Sequence, residues 1–158
     1  MRIALALAAC IWPAALAAQT STNTLTVNVG SLARLSLSPT SLTFPDADPG
    51  TVPQVPALPG PVTVTVKARA ARNSAVTLTV QASGDLRSGV TTLPASLIAW
   101  TATGAGMTSG SLSTSATMVG TWIGSGVRSG TQSFQFENRW THPSGTYTVT
   151  LMYTLSSP

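Results

Sequence analysis

Residues 62–80 read VTVTVKARAARNSAVTLTV. Valine or leucine occupies every second position at 62–66 and again at 76–80, and threonine fills the positions between them. Because successive side chains of a β-strand point to opposite faces, this alternation predicts two strands that each have one apolar face. The polar break at 71–74 predicts that the two strands form a hairpin.

The same alternation extends to both sides of this stretch, and no segment shows the period of an amphipathic helix. It recurs in NTLTVNV (23–29), in RLSLS (34–38), in TQSFQFENRW (131–140) and in GTYTVTLMYTLSSP (145–158). Turns rich in glycine, proline and serine separate these runs. We therefore predict an all-β protein, an immunoglobulin-like antiparallel β-sandwich of about eight to nine strands.

The first residues have the features of a secretory signal. Residues 1–17 carry one charge, Arg2, followed by an apolar run and small residues, which predicts a signal peptide cleaved after Ala17 or Ala18. Residues 20–158 are then predicted to form a single β-sandwich domain. The only cysteine, Cys10, lies inside the signal, so the mature chain has no thiol for a disulfide or a thiolate metal site. We expect an exported protein, located outside the cell, at its surface or in the periplasm, without a membrane span.

Charged residues make up only 8% of the chain, and the formal net charge is +4. The one basic cluster in the sequence is Lys67, Arg69 and Arg72, too small for the phosphate-binding stripe of a nucleic-acid-binding protein. These cations are interpreted as solubilising charges on an exposed sheet face, with attraction to an anionic surface polymer as the alternative.

Catalysis has little support in the residue types present. His142 is the only histidine and therefore the first candidate for a general base. No G-x-S-x-G motif accompanies it, and only four acidic residues are available for a carboxylate mechanism. We predict no enzymatic activity and no cofactor.

Asp46 and Asp48 lie in the proline-rich segment 45–61, which holds six of the eleven prolines. This segment is predicted to be an ordered crossover between the two sheets or an edge loop, and not a central strand. Two carboxylates in a stiff loop are candidates for Ca²⁺ ligands, although such a site needs 6 to 8 oxygens. The alternative, which we favour, is that aspartate serves here as a turn residue.

Three tryptophans of the predicted domain are candidates for either core packing or sugar binding. Trp100 and Trp140 are in phase with apolar neighbours, which favours core packing. Trp122 lies between Gly120 and Gly124 and is the candidate ligand-binding residue.

GTYTVTLMYTLSSP (145–158) resembles the closing strand of secreted bacterial sandwich domains. The likeness to WxL cell-wall-binding domains is carried by Tyr153-Thr154-Leu155 and Trp100-Thr101-Ala102. It implies peptidoglycan binding.

The likeness to pilin-like subunits of the spore-coat-U and chaperone–usher type is carried by Gly145 and Tyr153. In those proteins one sandwich strand is absent from the chain, and this resemblance implies assembly through a donated strand near the N-terminus.

From these observations we expect a non-enzymatic bacterial surface or extracellular protein with a structural or adhesive role, which assembles with further copies by strand pairing. Residues 145–158 are interpreted as the strand that closes the protein's own sheet. The assembly strand is predicted around Leu25, Val27 and Val29. The alternative function is a cell-surface module that binds carbohydrate or peptidoglycan.

Overall fold

The computed structural model describes residues 24–157, and the predicted signal peptide 1–17 lies outside them. The described chain is all-β and antiparallel, as predicted, with one short 3₁₀ turn at Ala95–Leu97. The strands are β1 (Leu32–Ser38), β2 (Gln54–Pro56), β3 (Val62–Arg69), β4 (Ala75–Ala82), β5 (Leu86–Ser88), β6 (Thr91–Leu93), β7 (Ile98–Thr103), β8 (Gly110–Ser111), β9 (Thr117–Ile123), β10 (Gly126–Glu137) and β11 (Leu151–Ser156).

The larger sheet has the strand order β1-β3-β10-β7-β8. Its central strand is β10, whose first part, Gly126–Gln132, pairs with β3 and whose last part, Gln135–Glu137, pairs with β2. On its other side β10 pairs with β7. This long strand therefore holds most of the sheet together.

The smaller sheet has the order β11-β4-β9, and β5 and β6 form a separate two-stranded ribbon. The inward side chains of both sheets belong to one buried cluster, in which Leu78 of β4 and Val119 of β9 are fully buried. Across from them, Trp100 and Phe134 of the larger sheet lie with ring centroids 6.1 Å apart. The two sheets thus face each other over a shared core. Burial of each aliphatic side chain in this core contributes about 1.5–3 kcal/mol to the free energy of folding.

The prediction that 62–69 and 75–82 form a hairpin is wrong. β3 pairs with β1 and β10 in the larger sheet, whereas β4 pairs with β11 and β9 in the smaller one. Each strand has an apolar face of valine or leucine. In two facing sheets these apolar faces cover each other, whereas side by side in one sheet they would need a further layer to cover them.

The proline-rich segment 45–61 does not cross between the two sheets, which is one of the two arrangements predicted for it. This segment lies between β1 and β3, and both strands belong to the larger sheet. Within it, β2 adds to the end of that sheet beside β10. Proline lacks the N–H that an interior strand uses for pairing. β2 can contain Pro56 because, among the described strands, it pairs with β10 alone.

Candidate functional site

The segment 24–30 precedes β1 and belongs to no sheet. Its apolar side chains are exposed, by 86% for Leu25, 72% for Val27 and 64% for Val29. These three residues lie at every second position, so in an extended chain they share one face. The segment therefore has the alternation of a β-strand with one apolar face, but it pairs with no strand in the described part of the molecule.

Two strands present free edges near each other. Among the described strands, β1 pairs only with β3, and β11 pairs only with β4. β1 and β11 belong to different sheets, yet they are in contact. One side of the sandwich is therefore bordered by two unpaired strand edges, whose backbone N–H and C=O groups are open to strand addition.

Partly buried apolar side chains of β1 and β11 lie along these two edge strands, and we call this set the seam. They pack against the buried core but remain half-exposed, unlike the corresponding residues of the interior strands; they are Leu35, Leu37, Leu151, Tyr153 and Leu155. The apolar face predicted for 145–158 is thus directed towards the core. It is not fully covered, because no strand lies beyond β11 in the smaller sheet as described.

Tyr153 joins the two sheets at this seam. Its hydroxyl donates a hydrogen bond of 2.8 Å to Oε1 of Gln132, a residue of β10 that is 0% exposed. Burial raises the pKa of the Tyr153 hydroxyl above its ordinary value. The Nε2 of Gln132 has no partner among the described protein groups, so this buried amide depends on Tyr153 for its side-chain hydrogen bond.

The tryptophan selected from the sequence as a ligand-binding residue is buried. Trp122 donates its indole N–H to the carbonyl of Ala105 at 2.8 Å. A Cβ added at Gly106 or Gly120 would lie 2.6–2.9 Å from atoms of this ring, so the two glycines provide the space that it occupies. Trp122 is 8% exposed, so the described residues leave little of its ring for a sugar to stack on.

Trp140 has the opposite environment. It was predicted to pack in the core, but it is 76% exposed in the loop after β10. Trp100 is buried, as predicted, and donates its indole N–H to the carbonyl of Thr108. The strand pattern is misleading for Trp140 because β10 ends at Glu137, before the tryptophan is reached.

Asp46 and Asp48 lie exposed in the loop before β2. The Oδ1 of Asp48 accepts a hydrogen bond of 2.7 Å from the Gly50 N–H, and its carbonyl accepts one from the Val52 N–H. This is the turn-forming role favoured for aspartate from the sequence. Within residues 24–157 no group of three or more histidine, cysteine, aspartate or glutamate side chains is placed to hold a metal ion.

His142, the candidate base, is half-buried against Phe136, with ring centroids 5.6 Å apart. Its Nδ1 is buried and has no hydrogen-bond partner among the described residues. The structure therefore does not bring His142 into a hydrogen-bonded chain with a serine and a carboxylate in this part of the protein.

No protein-family model matches the chain, and no curated protein matches it. Among the residues described, no helix has the length and apolar character needed to cross a membrane.

Proposed function

We propose that this protein is an exported, non-enzymatic bacterial structural or adhesive component, and that it assembles by sharing a β-strand between copies. The donated strand is segment 24–30, and the acceptor is the seam of a second copy. The observation that carries this proposal is that the same chain has both an apolar segment without a strand partner and an apolar seam that is not fully covered. Export rests on the signal predicted for residues 1–17, and the pilin-like resemblance agrees with strand sharing.

The dimensions of donor and acceptor support this assignment. Seven residues at ~3.3 Å each span about 23 Å, and the six residues of β11 span about 20 Å. A strand added along β11 would direct alternate side chains to the core, and the donor has three apolar residues with that spacing. Main-chain hydrogen bonds along the free edge would provide affinity, and the three side chains would provide register.

Burial of the donor's apolar face contributes to the free energy of association, and mutation can remove this contribution. Burying a valine or leucine side chain contributes about 1.5–3 kcal/mol. Threonine at positions 25, 27 and 29 keeps the β-propensity but removes most of this term. The triple replacement should therefore weaken association by about 10³-fold or more.

The test is the mass of the mature chain over a range of concentrations, measured by analytical ultracentrifugation, together with electron microscopy for filaments. Wild type should form multimers, and the triple threonine variant should be monomeric. The matched control replaces Thr24, Thr26 and Asn28 with serine, which changes the opposite face of the same segment and should leave assembly intact. A wild-type chain that stays monomeric at high concentration would refute the proposal.

A monomer could also arise if the segment folded back on its own chain. Gly30 and Ser31 could form a two-residue hairpin turn that places the segment beside β1. Hydrogen exchange separates the two arrangements. Protection of the amides of 25–29 that rises with protein concentration supports sharing between copies, whereas concentration-independent protection in a monomer would overturn it.

Binding of a cell-surface carbohydrate is the second candidate function, and the exposure of Trp140 favours it. The Asn138 side chain donates to the carbonyls of Ala47 and Val52, at 2.9 and 3.3 Å, and ties together the two loops beside the tryptophan. An exposed aromatic ring on a tied loop loses little entropy on binding. Retention on cell-wall material should fall for Trp140→Ala and persist for Trp140→Tyr. Equal retention of wild type and Trp140→Ala would exclude this role.

A further inference from the structure

Three cations lie together on the outer face of the larger sheet, where β1 pairs with β3. In this register Arg34 lies directly opposite Lys67. Arg69 lies two residues further along β3 on the same face, diagonal to Arg34, and all three side chains are exposed. The sequence shows Lys67 and Arg69 as neighbours, but Arg34 joins them only through the strand pairing.

No carboxylate neutralises these cations in the described structure. The one ion pair found within residues 24–157 joins Arg139 to Glu137. Asp48 caps its own turn, and Asp85 accepts a hydrogen bond from the Ala95 N–H. Like charges placed directly opposite each other in an antiparallel pair are destabilising, so the Arg34–Lys67 arrangement has a cost that nothing described in the chain offsets.

A shallow cleft of about 180 Å³ opens between the two cations, and its lining defines what we call the basic cleft: Arg34, Leu35, Ser36, Thr65 and Lys67. Ser36 and Thr65 are also directly opposite each other, so two hydroxyl side chains lie next to the two cations. This volume exceeds the roughly 10–15 Å³ that a single water molecule needs, so the cleft holds more than one water. It is large enough for a five-atom oxyanion that keeps part of its hydration.

We propose that the basic cleft binds a tetrahedral oxyanion, a sulfate or phosphate group, between Arg34 and Lys67. Arginine offers paired N–H donors that match such an anion, lysine adds a compact positive charge, and the hydroxyls can donate to the remaining oxygens. Duplex nucleic acid would require a longer stripe of cations, and three at one corner of a sheet match a single anionic group. This site does not depend on strand sharing.

The test follows the backbone amide resonances of Ser36 and Thr65 by NMR in the mature chain with threonine at positions 25, 27 and 29, so that assembly does not broaden the signals. The chain is titrated with sodium sulfate, sodium phosphate or sodium acetate at constant ionic strength. Sulfate and phosphate should shift these resonances saturably, and acetate, which is planar and singly charged, should bind more weakly. Equal shifts with all three salts, or none, would overturn the proposal. A titration with duplex DNA that gives a steep salt dependence and shifts spread over several strands would also overturn it.

Arg34→Thr and Lys67→Thr test the two cations. Each exposed ion contact contributes up to about fivefold in affinity, so each variant should bind sulfate about two- to fivefold more weakly, and the double variant up to about 25-fold. The matched control is Arg87→Thr, which removes one exposed positive charge on β5, outside the basic cleft, and should leave sulfate affinity unchanged. Equal losses for the control and the cleft variants would show that only net charge matters and would refute the site.

A stability measurement tests whether the cleft variants still fold. Without sulfate, Arg34→Thr should unfold at the same temperature as wild type or higher, because it removes a repulsion and introduces a residue favoured in strands. Sulfate stabilises proteins generally, so the informative quantity is the difference in its effect between variants. Sulfate should raise the Tm of wild type more than that of the double variant, and equal increases would contradict the proposal.

Discussion

Replacing Tyr153 with phenylalanine tests the hydrogen bond that joins the two sheets. The substitution removes only the hydroxyl, so the ring that packs at the seam remains. It leaves Gln132, which is 0% exposed, without its one side-chain hydrogen bond. A buried polar group left unpaired costs about 1–3 kcal/mol, and we expect the free energy of unfolding to fall by that amount. At roughly 4 °C per kcal/mol, the Tm should fall by about 4–12 °C.

The assay is urea unfolding of a monomeric background that carries threonine at positions 25, 27 and 29, so that assembly does not contribute. Gln132→Leu completes a double-mutant cycle. Removing both partners should cost less than the sum of the single changes, because the double variant leaves no orphaned amide. A Tyr153→Phe variant within about 0.5 kcal/mol of its background, with no coupling to Gln132, would refute this account of the bond.

The burial of the Tyr153 hydroxyl also predicts that the stability difference between wild type and Tyr153→Phe depends on pH. Tyrosine in an unfolded chain ionises near pH 10, and burial raises the pKa of Tyr153 above that value in the folded chain. The folded state therefore holds this proton more tightly, so above about pH 10 stability falls as pH rises, by up to about 1.4 kcal/mol per pH unit from this group. Below pH 10 the group contributes no slope. The difference in stability between wild type and Tyr153→Phe should shrink above pH 10, and a constant difference up to pH 12 would contradict the burial of the hydroxyl.

Two further substitutions, each with a matched control, test the core. Leu78→Ala should lower the free energy of unfolding by about 2–5 kcal/mol in urea unfolding, because the side chain is fully buried, whereas Val90→Ala, at a fully exposed position, should change it by less than about 0.5 kcal/mol. Gly120→Ala should lower the free energy of unfolding by about 1–3 kcal/mol through overpacking, since the added Cβ would lie 2.7 Å from the Trp122 ring. Gly84→Ala is the matched control, because nothing lies within 4 Å of its added Cβ, and equal losses in the two glycine variants would contradict this packing.

The strand content could be predicted from the sequence because a period of two is a local property. The alternation at 62–66, 76–80 and 145–155 depends only on which side chains can face water, and the structure places those apolar residues in or against the core. The role of a turn residue such as Asp48 could be predicted for a similar reason, because its hydrogen bond reaches only two residues along the chain.

The pairing of strands was not accessible in this way. Alternation shows that β3 and β4 each have one apolar face, but it does not show whether these faces lie side by side or opposite each other. The burial of a tryptophan is equally hard to predict from the alternation. Trp122 is buried and Trp140 is exposed because of where β9 and β10 end and which loops cover each ring.

The alternating residues of this chain are therefore enough to predict an all-β protein whose strands each have one apolar and one polar face. Tertiary folding was needed to bring Arg34 opposite Lys67, to connect Tyr153 with Gln132 and to place the edges of β1 and β11 side by side. The physical reason is that each of these contacts joins segments far apart in the sequence. Their proximity follows from strand register and from the packing of two sheets, which depend on the free energy of the whole core.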